Sequence, residues 1–294
     1  MRFRSLFSRR RFLRGVAAST AGMLAVGAYT WRVEPHWVEV VERDLSIASL
    51  PPALAGKTLI HLSDLHVGPE VADDYLIGQL QAVSALEADV LALTGDFMTC
   101  WAGEQLDRAT RVLSHLRPAR LATLGVLGNH DYGRRWNQFG VADVLTARLR
   151  DLGIDILRND RRDVQGLSVV GLDDLWSRRF APQDVLPNLP PDRARLVLCH
   201  NPDAADEGGW CNYRGWILSG HTHGGQCKPP FLRPPLLPVK NKRYVAGEID
   251  LYDGRRLYIN RGLGHLRQVR FNVRPEITVF TLRPQELAEP DDRS

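Results

Sequence analysis

Short apolar runs recur along this chain, and in its first half they are separated by longer segments in which apolar residues return every three or four positions. The runs occupy residues 58–62, 90–94, 122–127, 196–199 and 216–219. Each is too short for a helix and nearly free of charge, which predicts strands buried on both faces. Leu76, Leu80, Val83 and Leu86 mark one helical face. Leu106, Ala109, Val112, Leu113 and Leu116 mark a second, and Val141, Val144, Leu145, Leu149 and Leu152 a third. Strand and helix alternate, so the pattern predicts an α/β domain whose ligands gather at the carboxyl ends of the strands.

The flanks read differently. Val38, Val40, Val41, Leu45 and Ile47 alternate loosely within residues 34–50 and predict an opening strand or two, stopped by Pro51-Pro52. Past the midpoint the chain becomes β-rich, with a strand at 167–170, a helix at 181–186 and a short helix near Ala204. A Pro-rich loop then spans 228–242, and further strands are predicted at 243–249, 256–260 and 276–282, with Asp253-Gly254 turning between the first two. No internal repeat divides the chain, so residues 34–286 are expected to form one domain, followed by a polar tail at 287–294. Phe231, Leu232, Leu236 and Leu237 in the Pro-rich loop have two readings: a lip for an acyl chain or membrane, or a cover for the domain's own core.

A formal charge of +4 and a pI near 9.0 invite a nucleic-acid reading. The first 28 residues remove it, because they carry six Arg and no acid, and without them the formal charge is −2. No nucleic-acid-binding face is expected on a body that is close to neutral. The leader itself, Ser8-Arg9-Arg10-Arg11-Phe12-Leu13-Arg14, matches the twin-arginine export pattern, and an uncharged stretch follows at 15–30. That stretch is shorter than the roughly 20 apolar residues a spanning helix needs. Residues 1–30 are therefore expected to be a twin-arginine signal peptide, cleaved after Ala28 or retained as an anchor, which places the domain in the periplasm or on the outer face of the cytoplasmic membrane. The four Cys, at 100, 199, 211 and 227, form no C-x-x-C pair.

Candidate chemistry sits where the runs end. In order come Asp64-Leu65-His66, Gly95-Asp96, Gly128-Asn129-His130-Asp131, Cys199-His200-Asn201 and Gly220-His221-Thr222-His223-Gly224-Gly225. Two divalent ions held close together need an anion between them, and Asp96 is the candidate bridge. Asp64, His66 and His223 could complete one ion, and Asn129, His200 and His221 the other. A mixed oxygen and nitrogen shell suits Mn, Fe, Zn or Co better than Ca or Mg. Such a pair would polarise a water and a phosphoryl oxygen together. His130 is not needed as a ligand and is free to protonate the leaving group or to stabilise charge, with Asp131 orienting it.

These motifs resemble the calcineurin-like metallophosphoesterase superfamily, whose pattern is D-x-H, G-D, G-N-H-D/E, H and G-H-x-H. None is substituted, and the resemblance spans residues 58–282. It implies a four-layer α-β-β-α sandwich of two mixed sheets around a dinuclear site. Asp64, His66, Asp96 and His223 would hold one metal, Asp96, Asn129, His200 and His221 the other, and His130 would be the catalytic histidine. The leader, Leu62-Ser63-Asp64-Leu65-His66, Gly224-Gly225-Gln226 and Asn260-Arg261-Gly262-Leu263-Gly264 resemble its exported bacterial YkuE/YaeI-like phosphodiesterase branch. That resemblance implies a phosphoester substrate, such as a lipid or cell-envelope phosphodiester, and contact with the export machinery and a membrane surface. Hydrolysis of the pyrophosphate in UDP-2,3-diacylglucosamine is the alternative. A non-catalytic scaffold would be expected to lose ligands, and none is missing. Arg261 and His265 are candidate substrate contacts, His265 standing where Thr or a similar residue is common. His61 is expected to be structural, and Asp173 and Asp174 to form a polar turn.

Overall fold

The computed structural model describes residues 9–99, 103–190 and 192–285. Cys100, the first residues of the leader and the 287–294 tail lie outside the described residues. Among the described residues, twelve strands form two six-stranded sheets. The first has the order β1 (Glu39–Ile47), β12 (Glu276–Pro284), β2 (Thr58–Leu62), β3 (Val90–Thr94), β4 (Ala122–Val126), β5 (Asp155–Ile156). β2 to β5 run parallel, and β12 is antiparallel to β2. The second has the order β10 (Gly247–Asp250), β11 (Arg255–Ile259), β9 (Gly215–Ser219), β8 (Ala194–Leu198), β7 (Leu167–Gly171), β6 (Asp160–Val164). Its four central strands are parallel, and both edges are antiparallel. Both sheets are thus mixed, as expected.

The period of two in each buried strand explains the layers. In β3, Val90 and Ala92 turn to the space between the sheets and meet Leu59, Leu124, Leu196, Leu198 and Leu218. Leu91 and Leu93 turn outward and are covered by Leu76, Leu80, Val112 and Leu145. Those covering residues come from α2 (Asp73–Ala85), α3 (Gly103–Leu113) and α4 (Phe139–Asp151), the three helices that the periodicity predicts. α1 (Arg9–Ala28) precedes the first sheet and buries none of its side chains.

The outer face of the second sheet is covered differently. Val170, Val197, Ile217 and Leu257 pack beneath Leu186, Trp210, Tyr213, Val239 and Tyr244, which stand on 3-10 turns and loops. The helix expected at 181–186 is instead two 3-10 turns, Pro182–Asp184 and Leu186–Asn188. Pro187 accounts for the break, since it has no N–H to continue a helix and its ring crowds the preceding turn. Near Ala204 the short helix is also a 3-10 segment, Pro202–Asp206. The strand expected at 243–249 begins only at Gly247. Ahead of it the Val245 carbonyl accepts from Thr222 Oγ1, so it serves the histidine turn rather than a ladder.

Candidate metal centre

All seven expected ligands lie just beyond the carboxyl ends of five strands: β2 delivers Asp64 and His66, β3 Asp96, β4 Asn129, β8 His200, and β9 His221 and His223. Their backbones are unusual. Asp64 (φ 52°), His66 (48°), Asp96 (52°), His221 (71°) and His223 (50°) are all left-handed, a conformation that costs a non-glycine residue about 1–3 kcal/mol when the surroundings impose it. Here the surroundings do impose it. Asp64 N–H donates to the Gly95 carbonyl (3.0 Å), His66 N–H to the Asp96 carbonyl (2.9 Å) and Gly264 N–H to the Asp64 carbonyl (2.7 Å).

Two glycines in the motifs have steric reasons to be there. A Cβ on Gly128 would lie 2.2 Å from Asp96 Oδ1, and one on Gly220 would lie 1.8 Å from Ser63 Oγ and 2.4 Å from Asp64 Oδ2. Side chains at these positions would displace the two carboxylates.

The donors fall into two buried groups, Asp64, His66 and His223, and Asp96, His200 and His221, with the ligand atoms of each group within 4.8 Å of one another. In the first, His223 Nε2 is 3.3 Å from Asp64 Oδ1 and 3.0 Å from His66 Nε2. In the second, His200 Nε2 is 3.2 Å from Asp96 Oδ2 and 3.2 Å from His221 Nδ1. One oxygen joins them: Asp96 Oδ2 is also 3.5 Å from His66 Nε2. The other oxygen, Oδ1, accepts from the His130 amide at 2.9 Å. Asp96 is therefore the carboxylate of the donor set placed to be shared by ions at the two groups.

The chemistry of these atoms fits divalent cations. Burial pushes His66 and His221 down to about 3 and His223 well below its ordinary value, so these imidazoles are neutral and offer lone pairs. Burial also opposes charge on Asp96, but His200, His130 and His66 outweigh it and hold the carboxyl well below its usual range. His200 responds in the opposite sense: burial disfavours its charge, and Asp96 raises it well above normal. The charge of Asp96 thus favours a cation beside it, and a bound metal ion would meet that demand for the donors of both groups.

Asn129 stands beside the second group: its side-chain amide is 3.0 Å from His221 Nδ1 and 3.2 Å from His200 Nε2, and its other side faces the His130 amide and Trp136 Nε1. The Pro238 carbonyl, 2.9 Å from His221 Nε2, takes the His221 proton on that side, which leaves Nδ1 with a lone pair turned toward Asn129 and His200, as a metal ligand requires. On the other side of this set, the Thr94 carbonyl fixes His200 through Nδ1 at 2.6 Å.

His130 stands apart from the ligand atoms. Its Nδ1 is 3.1 Å from the Thr99 carbonyl, its ring meets His66 edge-on at 5.1 Å, and it lines an open cavity of about 660 Å³ with Pro69, Arg134, Arg135, Trp136 and Leu266. Asp131 does not orient it, contrary to expectation. The Asp131 carboxyl accepts from the Gly128 and Met98 amides (2.9 and 3.2 Å), so it braces the loop, and the Thr99 carbonyl takes the orienting role.

The two expected substrate contacts are also engaged elsewhere. Arg261 donates to Glu276 and, at 2.8 Å, to Glu39, which ties the loop to β1 and β12. His265 is buried with Nε2 at 3.0 Å from the Glu70 carbonyl. Arg270 is fully buried and donates to the carbonyls of Arg261, Gly262 and Gly264. His61 is buried with Nε2 at 2.8 Å from Thr94 Oγ1, away from the ligands, and Asp174 caps a turn through the Trp176 and Ser177 amides. Sequence reading missed Trp136 and Trp176, whose rings lie 4.7 Å apart and wall the second ligand group, with Trp176 edge-on to His221 at 4.5 Å. Neither belongs to a periodic face, and their separation in sequence hid the pairing.

Residues 57–225 match the family model for calcineurin-like phosphoesterase. The chain belongs to this family. It is 32% identical over 286 residues to phosphodiesterase YaeI of Escherichia coli (strain K12), covering 94% of this chain and 100% of that protein. It is 31% identical to the uncharacterized metallophosphoesterase YkuE of Bacillus subtilis (strain 168), covering 94% of this chain and 98% of the relative. The UDP-2,3-diacylglucosamine pyrophosphatase LpxG of Chlamydia trachomatis is 26% identical over 90% of this chain and 97% of its own length.

The partition of this phosphoesterase's donors has a direct consequence. His223→Ala is expected to strip an ion from the Asp64 and His66 group, and His221→Ala one from the His200 and Asn129 group, each lowering elemental metal content from two ions per chain toward one. The retained ion should differ between the variants in its spectroscopic environment. If either substitution emptied both positions equally, the two-group partition would be wrong.

Proposed function

We propose that this phosphoesterase is a phosphodiesterase that uses two divalent transition-metal ions, Mn, Fe or Zn, and His130. The observation that carries the reading is the shared Asp96 oxygen between two donor groups, with His130 beside them on an open cleft. When bound, such ions polarise a water nucleophile and the phosphoryl oxygens. The chain's own part is to hold them with neutral imidazoles and carboxylates, to fix His200 and His221 through the Thr94 and Pro238 carbonyls, and to present His130 to the leaving group. The likeness to YaeI supports the diester preference.

A second reading is a pyrophosphatase of the UDP-2,3-diacylglucosamine type, supported by the likeness to LpxG. Arg134 and Arg135 favour it, because they line the cleft beside His130 and could meet a second phosphate. For location, the twin-arginine pattern supports export, and α1, which buries nothing against the domain, is in keeping with a separable leader. No described helix is long and apolar enough to cross a membrane.

The test loads the purified chain with Mn or Zn and compares p-nitrophenyl phosphate, bis-p-nitrophenyl phosphate and UDP-2,3-diacylglucosamine. Faster turnover of the diester than of the monoester is expected. A preference for the monoester overturns the diesterase reading, and one for the UDP-lipid moves the assignment to the second.

A further inference from the structure

The Pro-rich loop carries some of the most exposed apolar side chains of the domain. Phe231 is fully exposed, Leu236 is 80% exposed and Leu232 63%, whereas Leu237 packs onto the core of the second sheet. The two readings of this loop therefore divide: one leucine covers the core, and the other three apolar residues cover nothing. Residues 228–243 also hold three Lys and two Arg and no acid.

The same segment of chain anchors both this loop and the root of α1. Lys228 N–H donates to the Phe271 carbonyl (2.8 Å) and Gln226 Nε2 to the Val269 carbonyl (2.9 Å), which fixes the base of the loop. Between these positions, Arg270 N–H donates to the Thr30 carbonyl (3.0 Å), and Gln268 Nε2 reaches the Trp31 carbonyl (3.0 Å). Loop and helix root thus leave the domain from one place. Around that root stand Trp31 and Trp37, half exposed, with Arg32 and Arg274 over their rings at 4.3 and 4.2 Å.

α1 repeats the chemistry. Phe12, Leu13, Val16, Met23, Leu24 and Val26 are all exposed and fall within an arc of roughly 160° at 3.6 residues per turn. Residues 1–33 carry seven Arg and no acid. Large apolar groups beside half-exposed tryptophans, with cations and no acid in residues 1–33 or 228–243, and with the nearby Glu34 buried and Glu39 paired to Arg261, fit the surface of an anionic bilayer. The export pattern accounts for arginines of α1 but not for the five cations of the loop, which an anionic surface does.

We propose that the Pro-rich loop and the root of α1 form one docking face for an anionic lipid bilayer, with Phe231, Leu232 and Leu236 as the inserting side chains. The face borders the metal centre, because Gly224, next to His223, lines a cavity of about 800 Å³ together with Phe231, Leu232 and Arg233. The proposal goes beyond the catalytic reading and does not depend on it, since it is read by binding alone.

The full chain is sedimented with phosphatidylcholine vesicles with and without phosphatidylglycerol. Binding is expected only with the anionic lipid and should weaken as salt rises. The triple variant Phe231→Ser, Leu232→Ser, Leu236→Ser should bind at least about tenfold more weakly and melt at the parent temperature, because these side chains support no core. Failure of the parent chain to sediment with anionic vesicles overturns the proposal. So does undiminished binding of the triple variant, which would leave α1 as the whole of the attachment.

Discussion

Asp96→Asn is expected to reduce hydrolysis of bis-p-nitrophenyl phosphate to background and to lower metal content from two ions per chain to one or none. The substitution keeps the shape of the side chain, and the amide can still meet the His130 N–H that Asp96 Oδ1 accepts at 2.9 Å. It removes the negative charge between the two donor groups, where Oδ2 lies 3.5 Å from His66 Nε2 and 3.2 Å from His200 Nε2. Two divalent ions about 4 Å apart repel by about 16 kcal/mol at an effective dielectric of 20, so a shared anion decides whether both remain. No other carboxylate in the donor set lies close to both groups: Asp64 Oδ1 is near His66 and His223, at 3.8 and 3.3 Å. Elemental analysis and a melting curve separate this outcome from unfolding. An Asp96→Asn variant that kept both ions and a rate within about tenfold of the parent would remove Asp96 as the bridge.

The ligands were legible because each sits inside a contiguous motif at the end of an apolar run, and in a parallel sheet strand ends share one rim. Asp64, His66, Asp96, His200, His221 and His223 are brought together at the positions that their motifs suggest. What stayed hidden is what depends on partners remote in sequence. Arg261 looked free for phosphate, but its carboxylate partner Glu39 is 222 residues away, on a strand whose place beside β12 no local pattern reveals. Asp131 looked like the partner of its neighbour His130, yet its oxygens turn to the Met98 and Gly128 amides.

Backbone conformation was equally beyond local reading. Positive φ is uncommon outside Gly even for Asp and His, which are enriched there, and sequence does not say which of them adopt it; here two aspartates and three histidines of the site do, with neighbouring strand ends supplying hydrogen bonds. The two sheets came from family resemblance and not from periodicity, because uninterrupted apolar strands do not announce which sheet they join.

His130→Ala is expected to lower kcat by about 10²–10⁴-fold on diesters with poor leaving groups, the range that general acid–base catalysis contributes. Metal content should stay at two ions per chain, because neither nitrogen of His130 belongs to the donor groups. The Thr99 carbonyl can only accept, so Nδ1 carries a proton toward it at 3.1 Å, and Nε2 is the nitrogen left to serve the substrate, giving its proton to the leaving oxygen from the imidazolium form and leaving neutral imidazole behind. A leaving alkoxide of high pKa needs a proton as the bond breaks, whereas p-nitrophenolate leaves without one. The loss should therefore grow along a series of leaving groups, small for p-nitrophenol and large for alkyl alcohols, and steepen the dependence of rate on leaving-group pKa. A loss that is uniform across the series would remove His130 as the proton donor and leave it stabilising charge on the phosphoryl group, while a variant short of metal would place it among the ligands.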